Sequence, residues 1–393
     1  MRKSILTVLL FVLCTACTTP IGRQEFLDAP TGYRPPLESD EAGLWMRMDN
    51  LEKSLKSSGL LVRDPELNNY IRGIVCRVAG AHCADIRVYV VRIPEFNASM
   101  APNGVMQVWT GLLLRAENEA QVAYIIGHEL GHYLRRHSLQ MWRDLRQKSS
   151  LFAYFNLLTL VVGVPGYVHD ITQLATLGSL FKFSRDSERE ADQLGFELTT
   201  GAGYDPREAG KLWEALLKER DAAKDPTPWV FFSTHPPTKE RVATLNRLAN
   251  EFTDKHKPEI IGKEPYLATV GPWRGMLLRD ELQQRQFARS QVLLDRLLGG
   301  NTRPGEFYYF QGELHRLRGE EGNEEQAKAA YHKALQYEDV PTEAYRELGL
   351  LYLKSGQNEQ AQTFLRRYIQ LKPQAKDRAM ISTYLDTIEG STD

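Results

Sequence analysis

The run His128-Glu129-Leu130-Gly131-His132 places two imidazoles four residues apart with a carboxylate between them. On a helix, positions i and i+4 differ by about 40° around the axis, so both rings project from one face. Two ring nitrogens on one face can bind a single ion at about 2.0–2.1 Å. Glu129 then stands beside the ion without ligating it, where it can take a proton from water. The site is still incomplete, because a catalytic zinc takes three protein ligands and keeps one position for water. Ser184-Arg185-Asp186-Ser187-Glu188-Arg189-Glu190-Ala191-Asp192 offers carboxylates for the third. Glu188 and Asp192 share a helical face, whereas Glu190 points about 200° away from Glu188. Spacing alone leaves Glu188 and Glu190 in competition, with His169, a loop residue, as a weaker rival.

Three further residues qualify by type. His137 lies five residues beyond His132 and, projected along the same helix, points off the metal face as a surface histidine. His235 precedes Pro236-Pro237, a rigid turn that could project it into a cleft. There it would stabilise an oxyanion, or fill the open metal position and hold the site latent, or merely close the turn. Arg241 either anchors that turn through an ion pair or contacts substrate.

These residues need helices to hold them. Asn118, with Gln121 three residues on, resembles a capping box opening a helix that runs to about His137. A small sheet precedes it. Residues 86–93 are rich in Val and Tyr, and residues 97–101 and 105–110 flank Pro102-Asn103-Gly104, a hairpin turn signal. The strand over 105–110 is a candidate edge on which an extended peptide could pair. Upstream, Ser39 caps a helix with Leu44, Met48, Leu51 and Leu55 on one face, and a second helix runs from Asp64 towards Val78. Downstream, the apolar residues 151–164 are too short to span a bilayer and predict a buried helix or a lid near the cleft. A helix over 184–198 carries the carboxylates, and Asp205-Pro206 starts another.

The His128–His132 motif followed about fifty residues later by Glu188-x-x-x-Asp192 resembles the HtpX and CaaX-protease family of gluzincins. Pro102-Asn103-Gly104 with Thr110-Gly111-Leu112, Ala202-Gly203-Tyr204-Asp205-Pro206, and Thr234-His235-Pro236-Pro237-Thr238 with Arg241 resemble family segments too. The resemblance covers roughly residues 40–250. It implies a zincin-like fold with one Zn2+ per chain on His128, His132 and Glu188, and Glu129 as general base. It makes Asp192 the group that orients a ligand histidine. With the exported start and helical tail described next, the resemblance is to the BepA-like group of periplasmic proteases within that family.

At the N-terminus, Arg2 and Lys3 precede a short apolar run, then Thr15-Ala16-Cys17. This resembles a lipoprotein signal peptide with Cys17 as the lipidated residue, although Cys14 stands where such signals usually carry Leu. Export leaves Cys76 and Cys83, an even pair that reads as a disulfide in an oxidising compartment, stabilising by roughly 2.5 kcal/mol for so small a loop. Near the C-terminus, Gly349, Tyr352, Gly356, Ala361, Leu365, Tyr368 and Pro373 follow the small/large spacing of a tetratricopeptide helix pair. Ala327, Tyr331 and Ala334 repeat it 34 residues earlier, and Gly312 stands 37 before Gly349.

The expected organisation is a signal peptide (1–17), a tether (18–38), a zinc metalloprotease domain (39–253), a linker (254–272) and a tetratricopeptide-like domain (273–390). The fold class is α+β and mostly α. Lys+Arg 49 against Asp+Glu 50 gives no basic excess, so nucleic acid is excluded as a partner class. The expected function is hydrolysis of peptide bonds in misfolded or misassembled envelope proteins, in the periplasm at the outer membrane. The helical tail would bind clients or outer-membrane assembly components, and a lipid anchor would hold the outer membrane. The alternative is a chaperone or assembly adaptor with a mostly latent zinc site.

Overall fold

The computed structural model describes residues 28–147, 183–223, 230–236, 238–258, 260–300 and 303–390. Helices α1 (Asp40–Ser57) and α2 (Pro65–Ala79) come first. Ser39 Oγ accepts from the Ala42 N–H at 3.1 Å, and Asp64 Oδ1 from the Leu67 N–H at 2.8 Å. Both side chains satisfy donors that a first helical turn leaves unpaired. Cys83, in the turn after α2, forms a disulfide with Cys76.

A three-stranded sheet follows, of β1 (Arg87–Val91), β2 (Ala98–Met100) and β3 (Val105–Trp109), in the order β1-β3-β2. β2 and β3 form the expected hairpin, with Met100 opposite Met106. Gly104 turns it at φ 85°, where a Cβ would meet the Asp85 carbonyl oxygen at 2.2 Å. β1 lies parallel to β3 on its other side. β3 is therefore central, buried at all five positions, and is not the edge strand expected from the sequence. Apolar residues lie on both of its faces, Val105 and Trp109 on one and Met106 and Val108 on the other, as in a strand covered on both sides. β2 forms that edge of the sheet.

After α3 (Thr110–Arg115) comes α4 (Glu119–Leu134), which carries the two-histidine motif. Asn118 Oδ1 accepts from the Gln121 N–H at 3.0 Å, and Gln121 Oε1 from the Glu117 N–H at 2.8 Å. α4 ends at Leu134, three residues before the expected end. Arg136 adopts φ 54°, which breaks the helical phase, and α5 (His137–Gln147) starts afresh.

α6 (Arg185–Gly201) starts at Ser184, whose Oγ accepts from the Ser187 N–H at 3.1 Å. It packs against α4 through glycines. A Cβ on Gly131 would lie 2.9 Å from the Cα and carbonyl oxygen of Ala191, and one on Gly195 would lie 2.8 Å from the His128 nitrogen. The backbones touch there, which side chains would prevent.

α7 (Arg207–Ala222), the short α8 (Val230–Thr234) and α9 (Lys239–Thr253) complete this half. The expected linker does not hang free where it is described. The Ile261 and Gly262 carbonyls accept from the Ala120 and Glu119 N–H groups at 3.1 and 3.3 Å, capping the start of α4, and α10 (Lys263–Val270) follows. The described part of the expected tether also lies along the body. The Ala29 N–H donates to the Leu134 carbonyl at 3.2 Å, and the Gly32 N–H to the Asp85 carboxylate at 3.0 Å.

The rest is a helical solenoid of α11 (Arg274–Gln283), α12 (Phe287–Gly299), α13 (Pro304–Arg318), α14 (Asn323–Ala334), α15 (Glu343–Lys354), α16 (Asn358–Leu371) and α17 (Arg378–Gly390). The small-against-large pattern works as the spacing implies. A Cβ on Gly312 would lie 2.3 Å from the Tyr331 ring, and one on Gly349 would lie 2.6 Å from Leu365. α13 and α14 therefore pair closely, as do α15 and α16.

One apolar core runs from Leu67 of α2 through Tyr266 and Leu278 to Leu351 of α15, so the solenoid shares its interior with the first half. The junction also buries charge. Arg115 at the end of α3 donates to Glu219 of α7 at 2.8 Å and to Glu281 of α11 at 2.9 Å, with both partners shielded from solvent. Arg289 of α12 adds a second cation to Glu281 at 3.1 Å. Residues 1–27, with Cys17, and residues 148–182, with His169 and the apolar run, lie outside the described residues. No helix among the described residues is long and apolar enough to cross a membrane.

Removing one member of a buried ion network leaves the others uncompensated. Arg115→Met is expected to cost about 3–5 kcal/mol of stability in urea unfolding. Adding Glu219→Gln and Glu281→Gln to that variant should recover a measurable part of the loss.

Candidate metal centre

Four side chains from three segments converge at the crossing of α4 and α6. His128 and His132 come from α4, Glu188 from the first turn of α6, and His235 from the turn after α8. All four are buried, and one ligand atom from each lies within 4.8 Å of the others. His128 Nε2 is 3.2 Å from His132 Nε2 and 3.2 Å from His235 Nδ1. Glu188 Oε1 is 2.9 Å from His235 Nδ1 and 3.4 Å from His132 Nε2, and its Oε2 is 3.6 Å from His128 Nε2.

Those separations bear on what the group can hold. Four N and O donors placed tetrahedrally at about 2.0–2.1 Å from one ion would stand about 3.3 Å apart. The observed edges scatter around that value. The donor set of imidazoles and a carboxylate suits zinc by type. Glu129 Oε1 is buried without a hydrogen-bond partner, 3.5 Å from His235 Nε2 and outside bonding geometry. A buried carboxylate oxygen left unpaired next to such a donor set is what a water-activating base requires. The residues fit a metal ion.

A second layer fixes the donors. Asp192, one helical turn beyond Glu188, lies with its Oδ1 3.0 Å from His128 Nδ1. Arg241 from the first turn of α9 forks onto Asp192 with two contacts of 2.7 Å and reaches Glu188 Oε2 at 2.8 Å. Its guanidinium lies over the Trp213 ring at 4.5 Å, and Thr238 Oγ1 caps α9 by accepting from the Arg241 N–H at 3.1 Å. Tyr124 donates to Asp192 Oδ1 at 3.0 Å. Phe183 stacks on the His132 ring at 3.9 Å, and Phe231 packs on His235.

Burial sets the charges. It pushes the Glu129 carboxyl up, against the pull of His235 and His128. It holds the His132 imidazole well below its ordinary pKa despite Glu188 beside it, which favours the neutral form a metal needs. Burial alone would raise Glu188, but His235, His132 and His128 together hold its carboxyl well below the usual range. Asp192 is likewise held low, by Arg241 first and then His128, against the burial that would raise it.

The structure thus brings together His128, Glu129, His132, Glu188, Asp192, His235 and Arg241. Glu190 is not among the converging donors. It lies on the outer side of α6, and its carboxylate meets His137 Nε2 at 3.0 Å. His137 is not a surface histidine: it is 2% exposed, and its Nδ1 lies 3.0 Å from His132 Nδ1. The helical projection failed because the left-handed Arg136 resets the phase. Tyr124 escaped notice although its spacing gave it away, since it stands one turn before His128 on the same face. Nothing in the sequence signals Phe183.

Comparison with known proteins agrees with this placement. A model described as peptidase family M48 matches residues 62–249, which contain the whole cluster, and a tetratricopeptide repeat model matches residues 342–374. Mitochondrial metalloendopeptidase OMA1 of Arabidopsis thaliana is 39% identical over 162 residues, covering 40% of this chain and 30% of that protein. A putative beta-barrel assembly-enhancing protease of Vibrio cholerae is 23% identical over 258 residues, covering 63% of this chain and 52% of the relative. The beta-barrel assembly-enhancing protease of Escherichia coli is 24% identical over 360 residues, covering 81% and 72%. The chain thus spans about half or less of the first two of these relatives.

The helix contact at Gly195 must be close for Glu188 to reach the histidines. Gly195→Ala is expected to force α4 and α6 apart, costing about 1–3 kcal/mol and weakening zinc binding at least about tenfold. Gly201→Ala, where an added Cβ meets nothing within 4 Å, should leave both unchanged. A zinc titration and a thermal melt of each variant would check this.

Proposed function

We propose that the chain is a zinc-dependent endopeptidase of peptidase family M48, the family whose model matches residues 62–249. The observation that carries the reading is the unpartnered Glu129 oxygen beside three converging donors, His128, His132 and Glu188. A purely structural metal site has no need of it. Bound zinc would polarise the scissile carbonyl and lower the pKa of water towards about 7. Glu129 takes the proton from the attacking water and passes it to the departing amine as the C–N bond breaks. Asp192 holds His128 in place, and Arg241 holds Asp192 and Glu188. β2, at the edge of the sheet, offers backbone groups to which an extended substrate can pair.

His235 supports a further part of the reading. Its Nδ1 stands 3.2 Å from His128 Nε2 and 2.9 Å from Glu188, at a fourth corner of the donor set. A protein donor in that corner occupies the position that water needs, so the resting enzyme is held latent, and cleavage requires the turn after α8 to withdraw. The setting of this activity follows from the N-terminal sequence. Residues 1–17 serve as an export signal, Cys17 carries a lipid anchor, and the protein works in the periplasm at the outer membrane. Misassembled envelope proteins are its substrates, a reading supported by relatives named beta-barrel assembly-enhancing protease. The tetratricopeptide region gathers clients or assembly components.

Glu129→Gln is expected to retain zinc but slow cleavage of a denatured protein about 10²–10⁴-fold. Wild-type rates in that variant would overturn the protease mechanism, and full complementation of a deletion strain by it would favour an adaptor role. His235→Ala should raise basal cleavage if the imidazole blocks the site. A fall of about 10²-fold or more would instead make it an oxyanion stabiliser.

A further inference from the structure

His132 meets the metal position with Nε2, which faces His128 Nε2 at 3.2 Å. A neutral imidazole that ligates through one nitrogen carries its proton on the other, so His132 Nδ1 must be a donor. The group opposite that proton, at 3.0 Å, is His137 Nδ1. To accept, His137 must be unprotonated at Nδ1 and carry its own proton on Nε2. That Nε2 lies 3.0 Å from Glu190 Oε2, an acceptor. The three residues form a chain of hydrogen bonds running one way, from His132 through His137 to Glu190. Each tautomer in it follows from the one before.

The backbone is arranged to place His137 there. Arg136 is a non-glycine residue at φ 54°, an uncommon and strained conformation. It is held by an ion pair with Glu41 of α1, by a hydrogen bond to Tyr33 Oη at 3.2 Å and by stacking on the Tyr33 ring at 4.8 Å. Without that left-handed residue α4 would continue, and position 137 would fall off the metal face. His137 is enclosed, whereas the Glu190 side chain is 56% exposed, so the chain of bonds starts at the donor cluster and ends in solvent.

We propose that His137 is a positioning residue for the metal ligand His132, and that Glu190 sets the tautomer in which it does so. The inference rests on the metallopeptidase reading. His128 leans on Asp192, a carboxylate on α6, and His132 leans on another α6 carboxylate through an interposed imidazole. Glu190, a rival for metal ligand on spacing alone, serves the same ion from two residues away.

The test is zinc affinity, measured by chelator competition on the full chain, with the melting temperature of the metal-free protein as the control for folding. His137→Phe keeps an apolar ring but no acceptor, and is expected to weaken zinc binding about 10–100-fold. His137→Asn presents Oδ1 near the place of Nδ1 and should bind within about threefold of wild type. Glu190→Ala, at an exposed position, should weaken zinc several-fold with metal-free stability unchanged. Cobalt-substituted His137→Phe should show an altered visible spectrum, and His137→Asn should restore it. Wild-type affinity in His137→Phe would overturn the proposal alone. So would His137→Asn binding no better than His137→Phe, which is the result of a merely structural role. Failure of the wild-type protein to take up zinc would overturn the metallopeptidase reading along with it.

Discussion

Where α4 crosses α6, Gly131 lies against Ala191 and Gly195 lies against the His128 backbone, with no room for a Cβ at either glycine. The proposed chemistry depends on that contact. A carboxylate side chain is short, and Glu188 reaches the imidazoles of α4 only because its helix approaches to backbone distance. The same approach carries Asp192 to the far side of His128. The Asn118 cap and the carbonyls of Ile261 and Gly262 fix the start of α4, and the Arg136 turn fixes its end.

Such a site is costly to assemble, since it confines charged and polar groups where solvent is excluded. The protein offsets that cost by pairing. Arg241 pairs with two carboxylates at once, and its backbone N–H is itself held by the cap of α9. The junction between the halves follows the same logic, with Arg115 answered by Glu219 and Glu281 and the latter also by Arg289. Trp213 and Phe231 pack beneath Arg241 and His235, so α7, whose Glu219 meets Arg296 of the solenoid helix α12 at 3.4 Å, also underlies the site. The halves share one apolar interior as well, so the solenoid is a structural partner of the site-bearing half.

Much of this was legible in the sequence. The two-histidine motif, the hairpin at Pro102-Asn103-Gly104, the helix caps and the small/large alternation of the repeats are all local, carried by residue type and spacing. Long-range relations were harder. Spacing could not choose between Glu188 and Glu190, because both lie within one turn and only the docking of α6 decides which faces α4. The strand over 105–110 was expected at an edge, although apolar residues on both of its faces belong to a centre. His137 was misplaced for one reason: an arginine at positive φ interrupts the helix, and neither its residue type nor its neighbours announce it. Four histidines and four carboxylates of one region thus divide into donors, supports and a base only in three dimensions.

X-ray absorption at the zinc edge of the purified full-length protein tests the central claim most directly. The account predicts one zinc per chain with only nitrogen and oxygen neighbours at about 2.0–2.1 Å and the outer scattering of imidazole rings. Sulfur neighbours at about 2.3 Å, or no bound zinc even after the metal is added, would contradict it.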